Sequence, residues 1–116
     1  MDEQFKATTE SHGTSVVVRP EGRLDAKTAP RLLEACLSAR TSGTPHLVLV
    51  LHDITFLSSS GVGVLLVLAE RTKSEGGSLR IAAPSAAVKG PLELLNLHRF
   101  LTIDDSEAES LAALGA

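Results

Sequence analysis

Aromatic residues are scarce in this sequence, which has no tryptophan, no tyrosine and only three phenylalanines among its 116 residues. Proteins stack nucleobases and sugars on aromatic rings, so the chain has almost no material for that kind of recognition. Basic residues are not in excess either, because 11 lysines and arginines stand against 14 acidic residues and the net charge is −3. We therefore expect no nucleic acid among the partners of this protein.

The chain also has a single cysteine and no long apolar run. Cys36 cannot form an internal disulfide, and it lies among leucines at helical spacing, so we expect a small buried side chain. The longest uncharged apolar stretch, residues 54–69, is 16 residues long with three serines inside it, which is too short to span a membrane. Because Met1-Asp2-Glu3 has no signal-peptide character, we expect a cytoplasmic protein without a membrane segment.

What is present is typical of a globular domain. Hydrophobic residues make up 43% of the chain and charged residues 22%, which argues against disorder. A chain of 116 residues can build one hydrophobic core but not two, so we predict a single domain over residues 1–116.

Hydrophobic periodicity predicts an α/β order of elements. The predicted elements are a β-hairpin of residues 5–9 and 14–18 with a polar turn at 10–13, a helix over about 28–40, a strand at 47–51, a helix over about 60–74, a strand at 79–82, a helix at 84–95, a short edge strand at 102–103, and a last helix at 107–114 capped by Ser106. The run at 47–51 is apolar throughout, as in a central strand buried on both faces. Gly90-Pro91 should kink or divide the third helix. We thus predict a mixed sheet of four to five strands that begins with a hairpin and is packed with about four helices.

Three consecutive serines, Ser58, Ser59 and Ser60, stand where a buried strand gives way to the second helix. Backbone N–H groups point outward at such a helix start, so a phosphate on a serine there would meet hydrogen-bond donors and the positive end of the helix dipole. The alternative is that Ser58 or Ser59 only caps the helix and Gly61 relaxes the turn. Both interpretations are open from these residues alone.

The second helix has apolar residues on two sides. One side carries Val62, Leu65, Leu66 and Ala69, and the other carries Val64, Val67 and Leu68. A helix on the sheet of a small domain usually has one wet face, so the second apolar side should be covered by another helix or by a partner. Gly61 and Gly63, which each cost about 1 kcal/mol relative to alanine inside a helix, favour a close contact at the helix start.

Common enzyme and metal motifs do not fit this chain. Ser59 lacks the first glycine of a nucleophile elbow, and Gly61-Val62-Gly63 continues neither as a dinucleotide site nor as a P-loop. The four histidines are scattered without metal-ligand spacing. Asp25, just before the first helix, would on its own indicate only a turn or a capping carboxylate. We expect no catalytic residue, no metal site and no cofactor.

Three segments taken together resemble one family: GRLDAKTA at 22–29, ITFLSSSGVG at 54–63 and LELL at 92–95. Over nearly its whole length the chain resembles a STAS domain of the anti-sigma-factor antagonist type. The resemblance implies a bacterial partner-switching protein that performs no catalysis. Such an antagonist, when unphosphorylated, binds an ATP-using anti-sigma factor kinase and so frees a sigma factor. That kinase inactivates it by phosphorylating a serine, and a PP2C-type phosphatase reverses the modification.

The resemblance also assigns residues. The family motif places the phosphoacceptor on Ser59 and brings Asp25 close to it. The surroundings of the phosphosite, which would also bind the partner, are Asp25, Ser58, Ser60, Gly61, Val62, Gly63 and Val64. We expect the chain to be a monomer or a weak dimer.

Three positions depart from the family pattern. Ser58 stands where the motif has aspartate, Val50 stands where the preceding strand often has aspartate, and Gly90-Pro91 bears on the third helix. The absent carboxylate at Ser58 motivates an alternative, a STAS scaffold or ligand-sensing module of a larger signalling assembly without phosphorylation control. A third hypothesis, a serine hydrolase, rests only on an exposed serine and the nearby His52.

Overall fold

The computed structural model describes residues 5–115. Its elements in chain order are β1 (Lys6–His12), β2 (Ser15–Leu24), α1 (Ala29–Ala39), β3 (His46–Val50), β4 (Asp53–Leu57), α2 (Ser59–Ser74), β5 (Leu79–Ala82), α3 (Ala86–Leu94), a 3₁₀ turn (Leu97–Arg99), β6 (Thr102–Asp104) and α4 (Glu107–Ala113). Every element that the sequence predicts is present in this order. The α/β class, the opening hairpin and the four helices are confirmed.

The strands form one mixed sheet. β1 and β2 are antiparallel, and each of the other pairs is parallel. The strand order is β1-β2-β3-β5-β6, and β4 pairs with β2. Parallel strands end at the same edge of a sheet, so the loops that follow β2, β3, β4, β5 and β6 share one edge. We call it the carboxyl edge.

The sheet has six strands, and β4 is the one that the sequence pattern did not predict. β4 follows β3 after only Leu51 and His52, and just two of its five residues are buried. β2 is also longer than predicted, because it pairs with β3 over residues 15–18 and then with β4 over residues 21–24. Pro20, which has no N–H for a ladder, lies between these two pairings.

The hairpin turn is tighter than predicted. β1 runs to His12 and β2 starts at Ser15, so the loop consists of Gly13 and Thr14 rather than residues 10–13. Gly13 has a φ of 60°, a left-handed conformation that glycine adopts without steric cost. The short loop fixes the register, and all seven residues of β1 pair with β2.

Apolar residues form two clusters that the sheet separates. The larger cluster includes Val16, Val18, Leu47, Leu49 and Ile81 of the strands with Leu32, Leu65 and Leu92 of α1, α2 and α3. The smaller cluster contains Val17, Val48 and Ala82, packed against Leu111 and Leu114 in and after α4. Successive strand residues point to opposite faces, so β3 is buried on both faces, as its apolar run predicts.

Cys36 is fully buried in the larger cluster, as its place in the leucine pattern predicts. Burial disfavours the thiolate and raises the pKa of the Cys36 thiol to about 12. The side chain therefore behaves as a small core group.

α3 is a single helix in spite of the proline inside it. It runs through Pro91 to Leu94, so the predicted division at Gly90-Pro91 does not occur. The hydroxyl of Ser85, the residue before α3, donates to the carbonyl of Ile54 over 2.6 Å. This hydrogen bond fastens the start of α3 to β4.

An ion pair, a cap and a buried hydroxyl hold α4 on the smaller cluster. Ser106 is its N-cap, as predicted, and accepts a hydrogen bond from the N–H of Glu109 over 3.1 Å. Arg19 of β2 donates two hydrogen bonds to the carboxylate of Glu107, at 3.0 and 2.6 Å. The hydroxyl of Ser110, buried in the middle of α4, donates to Asp104 over 2.6 Å.

Candidate functional site

The predicted site lies at the carboxyl edge, where β2 and β4 end side by side. Leu24 and Leu57 are register partners in these parallel strands. The N–H of Ser58 then donates to the carbonyl of Leu24 across 2.9 Å. Asp25 and Ser58, the next residues of the two strands, are therefore neighbours. We call Asp25 together with residues 58–64 the serine site.

Ser58 is the N-cap of α2. Its backbone is extended, its Oγ accepts a hydrogen bond from the N–H of Gly61 over 3.3 Å, and its carbonyl accepts one from Val62 over 3.0 Å. Ser59 and Ser60 are the first residues of the helix, and both are exposed. Capping thus accounts for Ser58 and leaves Ser59 and Ser60 without that role.

Close packing requires glycine at position 61. A Cβ there would lie 2.6 Å from Cδ1 of Leu57 and 3.0 Å from both Cγ and the carbonyl oxygen of Leu24. The ends of β2 and β4 therefore pack directly on the first turn of α2. A Cβ at Gly63 would meet nothing within 4 Å, so the close approach expected at both glycines occurs within this structure only at Gly61.

Asp25 is fixed by its own loop. Its Oδ1 accepts hydrogen bonds from the N–H groups of Lys27 and Thr28 over 3.0 and 3.1 Å, and its Oδ2 lies 3.9 Å from Nε of Arg23. These hydrogen bonds, foremost the one from Thr28, lower the pKa of the Asp25 carboxyl below its usual value. A negative charge is thus held beside the serines at neutral pH.

One long side of α2 is only partly covered: Ser60 and Val67 are exposed, and Val64 between them packs against the edge of the larger cluster. Leu65 and Leu68 are both fully buried, whereas Val67 is 45% exposed. The expected grouping of Leu68 with Val67 is therefore wrong, because Leu68 belongs to the buried side with Leu65. Ser60, Val64 and Val67 follow one another at helical spacing, so they line one side that begins among the serines.

Phe56 and Arg23 flank the serine site, and the sequence pattern did not single them out. They are register partners in β4 and β2, and the guanidinium of Arg23 lies 4.1 Å from the centroid of the Phe56 ring. This is a cation–π distance. The ring is 38% exposed. Sequence reasoning could have found Phe56 as a phenylalanine at an outward position of a strand. That requires residues 53–57 to be predicted as a strand first.

His52 and Ser59 lie at opposite ends of β4. The five residues of this strand lie between them and separate them by roughly 17 Å or more at about 3.3 Å per residue. The Nδ1 of His52 instead lies 3.1 Å from Oδ1 of Asp53. The pair on which the hydrolase hypothesis rests is therefore not formed.

Residues 5–115 also bear on metal binding and membrane insertion through the residues that they bring together. In this part of the chain, no three histidine, cysteine, aspartate or glutamate side chains are grouped so that they could hold a metal ion. None of the helices described here has the length and apolar character needed to cross a membrane.

Comparison with known proteins gives one family. The sequence model of the STAS domain matches residues 6–110. A protein of Paenibacillus polymyxa named anti-sigma F factor antagonist is 27% identical over 106 residues, which cover 90% of this chain and 91% of that protein. The crystal structure of an anti-sigma factor antagonist from Mycobacterium paratuberculosis is 26% identical, with a TM-score of 0.87 over 100% of this chain and 98% of that one. The phosphorylated form of the Bacillus protein SpoIIAA is 19% identical and shares the fold, with a TM-score of 0.70 over 94% and 99% of the two chains.

Proposed function

Because this chain belongs to the STAS domain family, we propose that it acts as an anti-sigma factor antagonist in the bacterial cytoplasm. In this role it binds an anti-sigma factor that is also an ATP-using kinase, and the binding frees a sigma factor. Phosphorylation of Ser59 by that kinase ends the binding, and a PP2C-type phosphatase restores it. The chain itself catalyses no step.

The exposure of Ser59 at the start of α2 is the observation that carries this proposal. A hydroxyl that receives a phosphate must enter the active site of a kinase, so it has to be accessible. Ser58 already caps the helix, which leaves the Ser59 hydroxyl free of a structural task. The fixed carboxylate of Asp25 at the same edge offers a hydrogen-bond acceptor to a cationic group of the partner.

In the transfer step, the ATP bound by the kinase is the source of the phosphate. Oγ of Ser59 attacks the γ-phosphorus, a new O–P bond forms, the bond to the bridging oxygen breaks, and ADP leaves. The hydroxyl proton passes to a base of the kinase. The phosphatase reverses the state by adding water to the same phosphate ester, which regenerates the hydroxyl and releases inorganic phosphate.

Electrostatics explains how a phosphate would end the binding. The modification adds about 1.5 to 2 negative charges at the contact surface. Asp25 beside it is a carboxylate at neutral pH, so the phosphate adds charge and bulk to a contact that already carries the one negative charge that the partner's cationic group matches. The positive end of α2 stabilises an exposed anion by about 0.3 to 1 kcal/mol, so the fold tolerates the phosphoserine. Phosphorylation of Ser59 should therefore weaken the binding of the partner without unfolding the protein.

Incubation of the protein with its anti-sigma factor kinase and Mg²⁺-ATP tests the proposal. Peptide mass spectrometry should find one phosphate on Ser59, and Ser59→Ala should take up none. Ser60→Ala removes the neighbouring exposed hydroxyl and is the matched control, which should be phosphorylated like the unmodified chain. If Ser58, Ser59 and Ser60 all stay free of phosphate, phosphorylation control is wrong.

A STAS scaffold or ligand-sensing module without phosphorylation control is the second candidate. The exposed side chains of Leu94, Leu95 and Phe100, all within seven residues of the chain, favour it, because a scaffold needs apolar contact surface outside the serine site. A stable multimer that binds no kinase would support the scaffold. Kinase binding that depends on the state of Ser59 would support the antagonist.

A further inference from the structure

Thr28, directly before α1, has a buried hydroxyl that the helix itself does not use. The residue stands at the N-cap position, where a threonine side chain usually accepts a hydrogen bond from the first turn of the helix, but it forms no such cap. Because Thr28 is only 2% exposed, its hydroxyl needs hydrogen-bond partners inside the protein. Those partners lie in the loop before the helix.

The Thr28 hydroxyl ties the loop of Asp25 together. Its Oγ1 donates to the carbonyl of Arg23 over 2.6 Å and accepts from the N–H of Asp25 over 2.9 Å. The N–H of Thr28 donates to Oδ1 of Asp25 over 3.1 Å. Thr28 therefore holds both the backbone and the carboxylate of Asp25. The next carbonyl, that of Leu24, accepts from the N–H of Ser58, so the segment that Thr28 holds also contacts the serine site.

One carboxylate oxygen of Asp25 is left for a partner. Oδ1 is occupied by the N–H groups of Lys27 and Thr28. Oδ2 forms no hydrogen bond within residues 5–115, and its contact with Nε of Arg23 is 3.9 Å long, which is beyond hydrogen-bond length. The guanidinium of Arg23 lies instead over the Phe56 ring. Since the Asp25 side chain is 31% exposed, a cation from outside can reach Oδ2.

We propose that Thr28 is a positioning residue for the binding of the anti-sigma factor and acts through Asp25. This inference rests on the proposed function. The Thr28 hydroxyl fixes the loop so that Oδ1 of Asp25 is used within it and Oδ2 is left to a basic side chain of the partner. A carboxylate that is already fixed loses little conformational freedom on binding, which raises the affinity. Without the hydroxyl, the carbonyl of Arg23 and the N–H of Asp25 lose their shared partner and the loop is released.

Titration of the Asp25 carboxyl by NMR tests the positioning without a partner. The hydrogen bonds from Thr28, foremost the one from its backbone N–H, lower the pKa of Asp25. Thr28→Val keeps the shape of the side chain but removes the hydroxyl, so it should raise this pKa toward its ordinary value, whereas Thr28→Ser should keep it low. Thr72→Val is the matched control, because it removes another buried hydroxyl, which donates to the carbonyl of Leu68 inside α2, and it should leave the pKa of Asp25 unchanged. An unchanged pKa of Asp25 in Thr28→Val would overturn the proposal.

Binding of the anti-sigma factor kinase, measured by isothermal titration calorimetry, tests the link to the partner. Asp25→Asn and Thr28→Val should each raise the dissociation constant about tenfold or more, whereas Thr28→Ser and Thr72→Val should bind like the unmodified chain. If Thr28 acts through Asp25, the double variant of Thr28→Val and Asp25→Asn should bind no more weakly than Asp25→Asn alone. A double variant in which the two losses multiply would overturn the proposal. Circular dichroism melting checks that every variant is folded.

The two measurements separate this inference from the proposed function. If the unmodified chain binds no kinase, the proposed function is wrong, and the titration alone decides whether Thr28 fixes Asp25. If the unmodified chain binds the kinase and Thr28→Val binds it equally well, the proposed function stands and the positioning role of Thr28 is wrong.

Discussion

The N–H of Ser58 donates a hydrogen bond to the carbonyl of Leu24 over 2.9 Å, and this contact joins the start of α2 to the end of β2. It sets the loop of Asp25 beside the three serines, although the two segments are far apart in the sequence. The same carbonyl would lie 3.0 Å from a Cβ at Gly61, so the junction has little room. Substitutions at this junction should therefore reveal how tightly the serine site is built.

Gly61→Ala should destabilise the protein by about 1 to 3 kcal/mol, because the added methyl group would lie 2.6 Å from Leu57 Cδ1. Gly63→Ala is the matched control. Its added methyl group meets nothing within 4 Å, so alanine's helix propensity should stabilise α2 by up to about 1 kcal/mol. Urea denaturation measures both free energies of unfolding. Equal effects of the two substitutions would contradict the close packing at Gly61.

Ser58→Ala should lower the free energy of unfolding by about 1 kcal/mol, because it removes the hydroxyl that accepts from the N–H of Gly61. Ser58→Asp should keep the cap and add a charge that suits the positive end of α2. Ser60→Ala serves as the control, since Ser60 is exposed inside the helix, and should change stability little. A loss in Ser60→Ala as large as in Ser58→Ala would show that Ser58 is not the cap.

Asp104→Asn should cost about 1.5 to 3 kcal/mol at pH 7, because it weakens charged hydrogen bonds to Arg80 and Ser110. The bonds from Arg80, more than that from Ser110, lower the pKa of Asp104 in the folded state. Because the pKa of Asp104 is lower in the folded chain than in the unfolded chain, where it is about 3.9, the ionised carboxylate stabilises the fold. This contribution to the free energy of unfolding is full above about pH 4 and is lost as the pH falls through the folded pKa.

Thermal or urea unfolding from pH 7 to pH 2 checks this dependence. The difference between the unmodified chain and Asp104→Asn should hold down to about pH 4 and shrink below it. Asp105→Asn, which changes the exposed neighbouring carboxylate, is the control. A difference that stays constant down to pH 2 would contradict the assignment to Asp104.

Patterns that depend on local periodicity predicted most of the fold. The helical spacing of the leucines around Cys36 and the continuous apolar run of β3 place these residues in the core, where the structure has them. A serine directly before a helix predicts an N-cap. Ser106 is one, because its Oγ accepts a hydrogen bond from the N–H of Glu109.

Features set by tertiary partners were missed. β4 has only Ile54 and Leu57 buried, so its pattern is too weak to indicate a strand without β2 beside it. Leu68 lies on the buried side of α2. The spacing of the apolar residues does not determine how the helix is rotated about its axis when it packs on the sheet, so it could not predict this. At the serine site, the residues themselves could be predicted, but only the folded backbone decides that Ser58 rather than Ser59 is the cap.

Binding of the anti-sigma factor kinase to Ser59→Ala and Ser59→Glu, measured by isothermal titration calorimetry, tests the central claim most directly. Ser59→Ala removes a hydroxyl that has no capping task and should bind like the unmodified chain, whereas Ser59→Glu adds a charge beside Asp25 and should bind about tenfold or more weakly. Ser11→Glu adds the same charge at an exposed position of β1 and should leave binding unchanged. Equal affinity of Ser59→Ala and Ser59→Glu would contradict a switch at Ser59.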